Sequence, residues 1–163
     1  TAYSSAKFAV KGFSEALITD LALNAPHIKV SVVMPGHIGT SIVANSRKVM
    51  TRRDEDALSD EDLARARERI GRAGLNVGEL SDAALQAMVN EQHRRFLEEA
   101  PTTAAEAATV ILDGVKADRW RILVGEDAHK MDELVRRDPE AAYSPAFFEV
   151  LATEVGWKLG GLR

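Results

Sequence analysis

The sequence predicts a helix-rich α/β fold on a doubly wound parallel sheet, and three observations indicate it. Residues 3–23 have a strong helical pattern, and a short β-branched run, residues 28–34, follows directly. A second short apolar run, residues 120–125, comes only after several further helical patterns. The order helix, strand, helices, strand, helices is typical of parallel strands joined by right-handed crossovers.

Length and composition indicate a single globular domain over residues 1–163. The chain is 45% hydrophobic and 28% charged, and its 21 basic and 25 acidic residues give a net charge of −4, which argues against nucleic-acid binding. It has no cysteine, which fits a cytoplasmic location, and its four histidines lack metal-ligand spacing. Its apolar runs are too short to cross a bilayer, and we find no signal-peptide pattern.

The first helix carries two side chains of chemical interest, Tyr3 and Lys7. With about 3.6 residues per turn, they fall on one face that continues to Leu21. The other flank, around Gly12, is small or apolar and barely charged, and a helix with two uncharged faces is usually covered on both. We expect one face to pack on the sheet. The other packs either on a second subunit, giving a homo-oligomer through residues 3–23, or within the same domain.

The strand at residues 28–34 (IKVSVVM) is nearly continuous in apolar character at its end, as in sheets buried on both faces. Pro35 and Gly36 stop it at once. Ligands of open α/β sheets sit outside the carboxyl ends of the strands. The sequence therefore predicts a ligand-binding turn at residues 35–40 (PGHIGT).

Residues 45–103 differ in character, because runs of charge alternate along them. Ser59 opens a helix with a capping-box pattern, and we expect Gly71 and Gly74 to break that helix. Ser81 caps a second helix. The charge runs indicate solvated helix faces. A helical insertion after a ligand-binding turn commonly forms a lid, so we predict a substrate lid here. The second helix has an apolar face formed by Leu85, Met88, Val89 and Phe96. This face indicates a lipophilic substrate, although apolar helix faces more often belong to the core.

The remaining elements follow a regular plan. Thr103 and Glu106 form a second capping box, and the helix that they open leads to the strand at residues 120–125. Helical patterns then continue to Val155, and Gly156 is the expected stop.

Tyr3 and Lys7 form a Tyr-x-x-x-Lys motif, which is weak alone because chance matches are common and most such pairs are surface pairs on a helix. A phenol is a poor acid–base group at neutral pH, but an ammonium group one turn away favours the phenolate. The pair also opens the helix that feeds a buried strand ending in Pro-Gly. This position favours proton transfer as its role.

Residues 1–7 (TAYSSAK) and 30–40 (VSVVMPGHIGT) together resemble the C-terminal half of a short-chain dehydrogenase/reductase. Residues 121–143 are similar to the last strand and helix of that family, and residues 45–103 fall in its variable substrate-binding region. The resemblance implies the C-terminal part of a Rossmann-like fold. It also implies an NAD- or NADP-dependent oxidoreductase acting on a small carbonyl or alcohol substrate.

The resemblance implies a role for each residue of the pair. Tyr3 would be the acid that protonates a carbonyl oxygen in reduction, or the base in oxidation. Lys7 would hold the nicotinamide ribose hydroxyls and stabilise the phenolate, so both residues would also bind the cofactor.

The same resemblance assigns the turn. Pro35 and Gly36 would shape it beneath the nicotinamide, while the backbone of Ile38 and the hydroxyl of Thr40 would bond the carboxamide. His37 is expected to be a spacer.

The glycine-rich phosphate loop and the catalytic serine of the family are not found in residues 1–163, and both would precede Thr1. We therefore expect a segment of a larger enzyme that is inactive alone. The alternative is a non-catalytic oligomerisation module that lacks cofactor binding.

Overall fold

The computed structural model describes residues 2–51, 57–72 and 80–156. Its helices are α1 (Ala2–Asn24), α2 (Ile42–Thr51), α3 (Asp60–Arg72), α4 (Asp82–Glu98), α5 (Ala104–Lys116), α6 (Glu126–Arg137) and α7 (Pro145–Val150). A 3-10 turn spans Ala141–Tyr143 and a π-helical turn spans Leu151–Val155. The strands are β1 (Val32–Pro35), β2 (Ile38–Gly39), β3 (Thr102–Thr103) and β4 (Arg121–Val124).

The chain divides into two compact units. The first combines Thr1–Ile38 with Pro101–Arg136, and the second combines Gly39–Ala100 with Arg137–Arg163. The first unit holds α1, β1, α5, β4 and α6, whereas the second holds α2, α3, α4 and α7. A helix-rich α/β architecture with a small parallel sheet is consistent with part of a Rossmann-like fold.

The first unit is built on a parallel pair of strands. β1 and β4 align from Val32 opposite Arg121 to Pro35 opposite Val124. The parallel pairing follows the sequence-based expectation, but β1 begins at Val32 and not at Ile28. The Ile28 N–H closes a turn on the Ala25 carbonyl at 2.9 Å, so the chain leaving α1 is still turning there.

Helix α5 covers this sheet through small and branched side chains. Ala107, Ile122 and Val124 form the buried core, and Val33, Ile38 and Ile111 pack against it. Gly114 lets the helix approach closely, because a Cβ there would come within 2.6 Å of the Ile122 Cδ1 atom.

The N-terminus of α5 is closed by the predicted capping box. The Glu106 N–H donates to the Thr103 hydroxyl, and the Glu106 carboxylate accepts from the Thr103 N–H at 2.8 Å. The backbone and side-chain hydrogen bonds from Thr103 lower the pKa of Glu106 below its usual value. The capping box that the sequence predicted at Thr103 and Glu106 is therefore confirmed.

A charged network ties β4 to α6. Asp132 accepts hydrogen bonds from the Arg121 guanidinium and, at 3.0 Å, from Arg136 Nε. Partial burial of Asp132 raises its pKa, but the hydrogen bonds and charges of the two arginines outweigh it, so the pKa lies below its usual value. The carboxylate therefore stabilises the fold in its charged form.

Helix α1 has the predicted length, but its two faces are not both buried as predicted. It contains no buried residue, and nothing lies within 4 Å of where a Cβ on Gly12 would be. Leu17 and Leu21 are half-buried, whereas Phe8 and Phe13 are exposed. The expectation of a helix covered on both faces is therefore not met by this chain, because the described residues cover only part of the C-terminal half of α1.

The second unit contains a helical hairpin with its own core. Leu63, Ala66 and Ile70 of α3 pack with Leu85 and Val89 of α4, with the half-buried Leu58 and Met88 against them. Ser59 and Asp62 form the predicted reciprocal cap of α3, and the Ser81 hydroxyl caps α4. The predicted break at Gly71 is wrong, since α3 continues to Arg72, while Gly74 lies outside the described residues.

The charged side chains of α4 lie on its exposed face, as predicted. Glu91 accepts hydrogen bonds from Arg94 and Arg95, which lower its pKa to about 2. The basic and acidic run at residues 52–56 falls outside the described part of the chain. Among the helices that the structure describes, none has the length and apolar character needed to cross a bilayer.

Candidate functional site

The first two turns of α1 bring Tyr3 and Lys7 together. The Lys7 Nζ atom lies over the Tyr3 ring, 5.4 Å from its centroid. Side chains four residues apart are neighbours on a helix, and a cation over an exposed aromatic face is stabilised by about 0.5–1 kcal/mol. The Tyr3 side chain is 73% exposed. The phenol and the ammonium group therefore share one open face of the helix.

The turn after β1 begins at the edge where both parallel strands end. Pro35 is exposed, and the Gly36 N–H donates to the Val124 carbonyl at 2.9 Å. Pro35 and Val124 are the last aligned pair of the two strands. The carboxyl edge of a parallel sheet is where α/β proteins bind ligands. Residues 35 and 36 thus occupy the location that the sequence predicted.

Ile38 and Thr40 belong to different units. Ile38 is half-buried and packs against the core that contains Ile122 and Val124. Thr40 is half-buried in the second unit, where it lines an open groove of about 580 Å³ with Ser41, Ile42, Asn45, Ser46 and Val49. The structure therefore joins Pro35, Gly36 and Ile38 in one segment of the first unit, and Thr40 follows them in the chain.

The Tyr3–Lys7 pair and the turn form two separate clusters. Within residues 2–51, 57–72 and 80–156, neither Tyr3 nor Lys7 makes a hydrogen bond to residues 35–38. Both clusters nevertheless belong to the first unit. His37 is half-buried, and its backbone N–H donates a hydrogen bond to the Asp127 carboxylate.

Asp127 is a residue of this region that the sequence analysis did not single out. It lies in the first turn of α6, and its Oδ2 atom accepts a hydrogen bond of 2.6 Å from the His37 N–H. The available signal was the acidic pair Glu126-Asp127, directly after the glycine that ends the strand. Asp127 thereby connects the chain leaving β4 to the chain leaving β1.

The glycines of the two strand ends make room for this carboxylate. A Cβ on Gly36 would overlap the Asp127 carboxylate, and a Cβ on Gly125 would come within 2.5 Å of its Oδ1 atom. Gly125 also has a φ of +97°, a conformation that other residues rarely adopt. Close packing of main chain around one buried carboxylate therefore defines this edge of the sheet.

The site offers proton-transfer and hydrogen-bonding groups. In the described part of the chain, no three histidine, aspartate or glutamate side chains come together in a way that could hold a metal ion. The groups present are a phenol, an ammonium group, a glycine-shaped turn and a buried carboxylate. They suit acid–base chemistry beside a bound organic molecule.

Comparison with known proteins identifies the segment that carries this geometry. The family model described as short chain dehydrogenase matches residues 1–51, which contain Tyr3, Lys7 and the whole 35–40 turn. Over these residues the chain is similar to the short-chain dehydrogenase family. The resemblance inferred from the sequence is thereby confirmed.

Two curated relatives extend the similarity beyond residue 51. Both are named "Putative oxidoreductase SadH" and come from Mycobacterium tuberculosis, strains CDC 1551 / Oshkosh and ATCC 25618 / H37Rv. Each is 29% identical over 136 residues, which cover 83% of this chain and 37% of the relative. The chain thus spans well under half the length of these proteins. No solved structure matches it.

Proposed function

We propose that the protein is an NAD- or NADP-dependent oxidoreductase that transfers a hydride between a nicotinamide and a small carbonyl or alcohol substrate. One observation carries this proposal: the Lys7 ammonium group lies over the Tyr3 ring inside the segment that matches the family. The relatives named as oxidoreductases support the same class of reaction.

Tyr3 is proposed to move the proton of the reaction. In reduction its phenol donates a proton to the carbonyl oxygen while the carbon accepts hydride, and in oxidation the phenolate removes the hydroxyl proton. The Lys7 ammonium group, which lies over the Tyr3 ring, is proposed to stabilise the negative charge that develops on the phenol oxygen during proton transfer. The open position of Tyr3 at the start of α1 leaves its hydroxyl accessible to a substrate.

The turn residues fit the nicotinamide end of the cofactor. Gly36 directly follows β1, so its main chain lies at the carboxyl edge of the sheet, where α/β proteins bind ligands. The nicotinamide, when bound, supplies or accepts the hydride. The main chain of Ile38 and the Thr40 hydroxyl would bond its carboxamide, and Lys7 would bond the ribose hydroxyls.

We propose that the rest of the dinucleotide is held outside residues 1–163. The sequence has no Gly-x-x-x-Gly-x-Gly segment, and the chain spans 37% of its relatives' length. These residues alone are therefore expected to be inactive.

A lid over residues 45–103 stays a hypothesis, and so does a lipophilic substrate. Two of the four apolar positions that suggested that substrate, Leu85 and Val89, are buried in the core of the α3–α4 hairpin. They are therefore not available to line a substrate site. Met88 is half-buried against the same core, and Phe96 is half-buried outside it.

A second candidate function is a non-catalytic assembly module. The observation that favours it is α1, which buries no residue and exposes Phe8 and Phe13. In this alternative, a second copy of the chain covers α1 and no nicotinamide binds. A homo-oligomer through α1 is compatible with both candidates, and a cytoplasmic location stays a sequence-based prediction.

Cofactor titration separates the two candidates. In the natural protein, with any residues that precede Thr1 retained, we expect NADH or NADPH to bind with a change in nicotinamide fluorescence. Lys7→Ala should weaken binding by about tenfold or more, because a charged hydrogen bond is worth about 1.5–3 kcal/mol. Lys11→Ala is the matched control, since Lys11 lies one turn further along α1 and pairs with Glu15. A protein that self-associates but binds neither nucleotide would contradict the enzyme proposal.

A further inference from the structure

Asp127 is one of two buried polar or charged residues in the described part of the chain, and it is 5% exposed. Carboxylates are rarely this deeply buried, because removal from water is costly unless the charge is compensated. Part of the compensation is the His37 N–H, which donates to Oδ2. The remainder includes the N-terminus of α6, whose dipole favours a negative charge in its first turn.

The carboxylate contacts the main chain that leaves both strands. It lies against Gly36 after β1 and against Gly125 after β4, and a side chain on either glycine would collide with it. The other buried polar residue, Thr102, also belongs to this region, since its Oγ1 atom would lie 3.0 Å from a Cβ on Gly125. A helix-capping role alone does not require an acceptor that reaches across to a neighbouring strand end.

We propose that Asp127 is a positioning residue that fixes residues 35–38 in their binding conformation through the His37 N–H. This inference rests on the proposed function, because it concerns the turn that would hold the nicotinamide. A turn held in one conformation before the ligand arrives loses less conformational freedom on binding, and this raises affinity. The effect is local to the nicotinamide end of the site.

Three substitutions test the role of the carboxylate. Asp127→Ala removes the acceptor, Asp127→Asn keeps an oxygen acceptor of nearly the same shape, and Asp127→Glu moves the acceptor by one methylene. Glu126→Ala is the matched control, because Glu126 precedes Asp127 in the same helical turn and its side chain is 80% exposed. All variants are made in the natural protein with any residues that precede Thr1 retained.

The measurement compares affinity for the reduced nicotinamide nucleotide with affinity for ADP-ribose, which lacks the nicotinamide ring. Asp127→Ala should weaken nicotinamide nucleotide binding by about tenfold while ADP-ribose binding changes less than about twofold. Asp127→Asn should retain most of the affinity. Amide exchange at His37 should accelerate in Asp127→Ala but not in Asp127→Asn or Glu126→Ala. If Asp127→Ala does not fold, Asp127→Glu takes its place and should show the same selective loss.

The outcomes distinguish this inference from the proposed function. If the natural protein binds the nicotinamide nucleotide but Asp127→Ala, or Asp127→Glu in its place, weakens both ligands equally or neither, the positioning role is contradicted and the proposed function stands. If Asp127→Asn loses as much affinity as Asp127→Ala, charge and not the hydrogen bond matters, and the positioning role is again contradicted. If the natural protein binds no nicotinamide nucleotide, the proposed function fails and the positioning role fails with it.

Discussion

Gly36 lies so close to Asp127 that a Cβ atom at Gly36 would overlap the carboxylate of Asp127. Gly36 directly follows β1, and Asp127 lies in the first turn of α6, shortly after β4, so the contact joins the chain segments that leave the carboxyl ends of the two strands. The turn therefore depends on a glycine for space as well as on a carboxylate for its hydrogen bond.

We expect Gly36→Ala to destabilise the protein by about 1–3 kcal/mol, because the added methyl group must displace a buried carboxylate. Gly12→Ala is the control, since nothing lies within 4 Å of its Cβ position in the middle of α1. That substitution should stabilise the protein by about 0.5–1 kcal/mol through helix propensity. Urea unfolding gives both values, and equal effects of the two substitutions would contradict the packing described for Gly36.

The core of the α3–α4 hairpin gives a second prediction. Leu85 is fully buried, so Leu85→Ala should cost about 2–5 kcal/mol through lost burial and the cavity that remains. Leu97→Ala tests the same truncation on the same helix, where the leucine is exposed, and should change stability by less than about 0.5 kcal/mol. The measurement is the free energy of unfolding. A stable Leu85→Ala variant with altered substrate preference would instead place this side chain in a substrate site.

Asp132 gives a prediction about pH. Its pKa in the folded chain lies below the usual value, so its stabilising contribution is present above the usual pKa of about 4 and is lost as the pH falls through the folded value. At neutral pH, Asp132→Asn should destabilise the protein by about 1–3 kcal/mol. The difference from the unmodified protein should shrink as the pH falls below the usual pKa of about 4.

The control for this pH dependence is Asp113→Asn. Asp113 forms an exposed pair with Lys116 on α5, and such pairs contribute little to stability. Unfolding free energies measured across the acid range check the expectation. A difference between Asp132→Asn and the unmodified protein that grows as the pH falls would contradict the assigned charge state.

Local signals in the sequence predicted much of the fold. The Ser59, Ser81 and Thr103 caps depend on side chains within three residues of their partners, and the structure has all three. The parallel pairing of β1 with β4 also followed from element order. Such features need no knowledge of distant contacts, which is why pattern and spacing suffice for them.

Features set by distant contacts were missed or misplaced. Helix α2 was not predicted. It has only 10 residues, and most of its described side chains are exposed. Asp127 was missed because its partner, His37, is 90 residues away in the chain. The apolar stripe of α4 was interpreted as a lid surface, but Leu85 and Val89 face α3, and one helix alone does not show which neighbour it packs against.

The central claim is that the Tyr3 hydroxyl transfers the proton, and Tyr3→Phe tests it most directly. Phenylalanine keeps a ring beneath the Lys7 ammonium group, so the cation–π contact and the helix should persist. The only other tyrosine, Tyr143, is exposed, and Tyr143→Phe is the matched control.

The deciding measurement is the change in nicotinamide absorbance with a panel of carbonyl and alcohol substrates, using the natural protein with any residues that precede Thr1 retained. The account predicts that Tyr3→Phe binds the nucleotide but loses at least about a hundredfold in kcat, while Tyr143→Phe keeps full activity. Full turnover by Tyr3→Phe would contradict it.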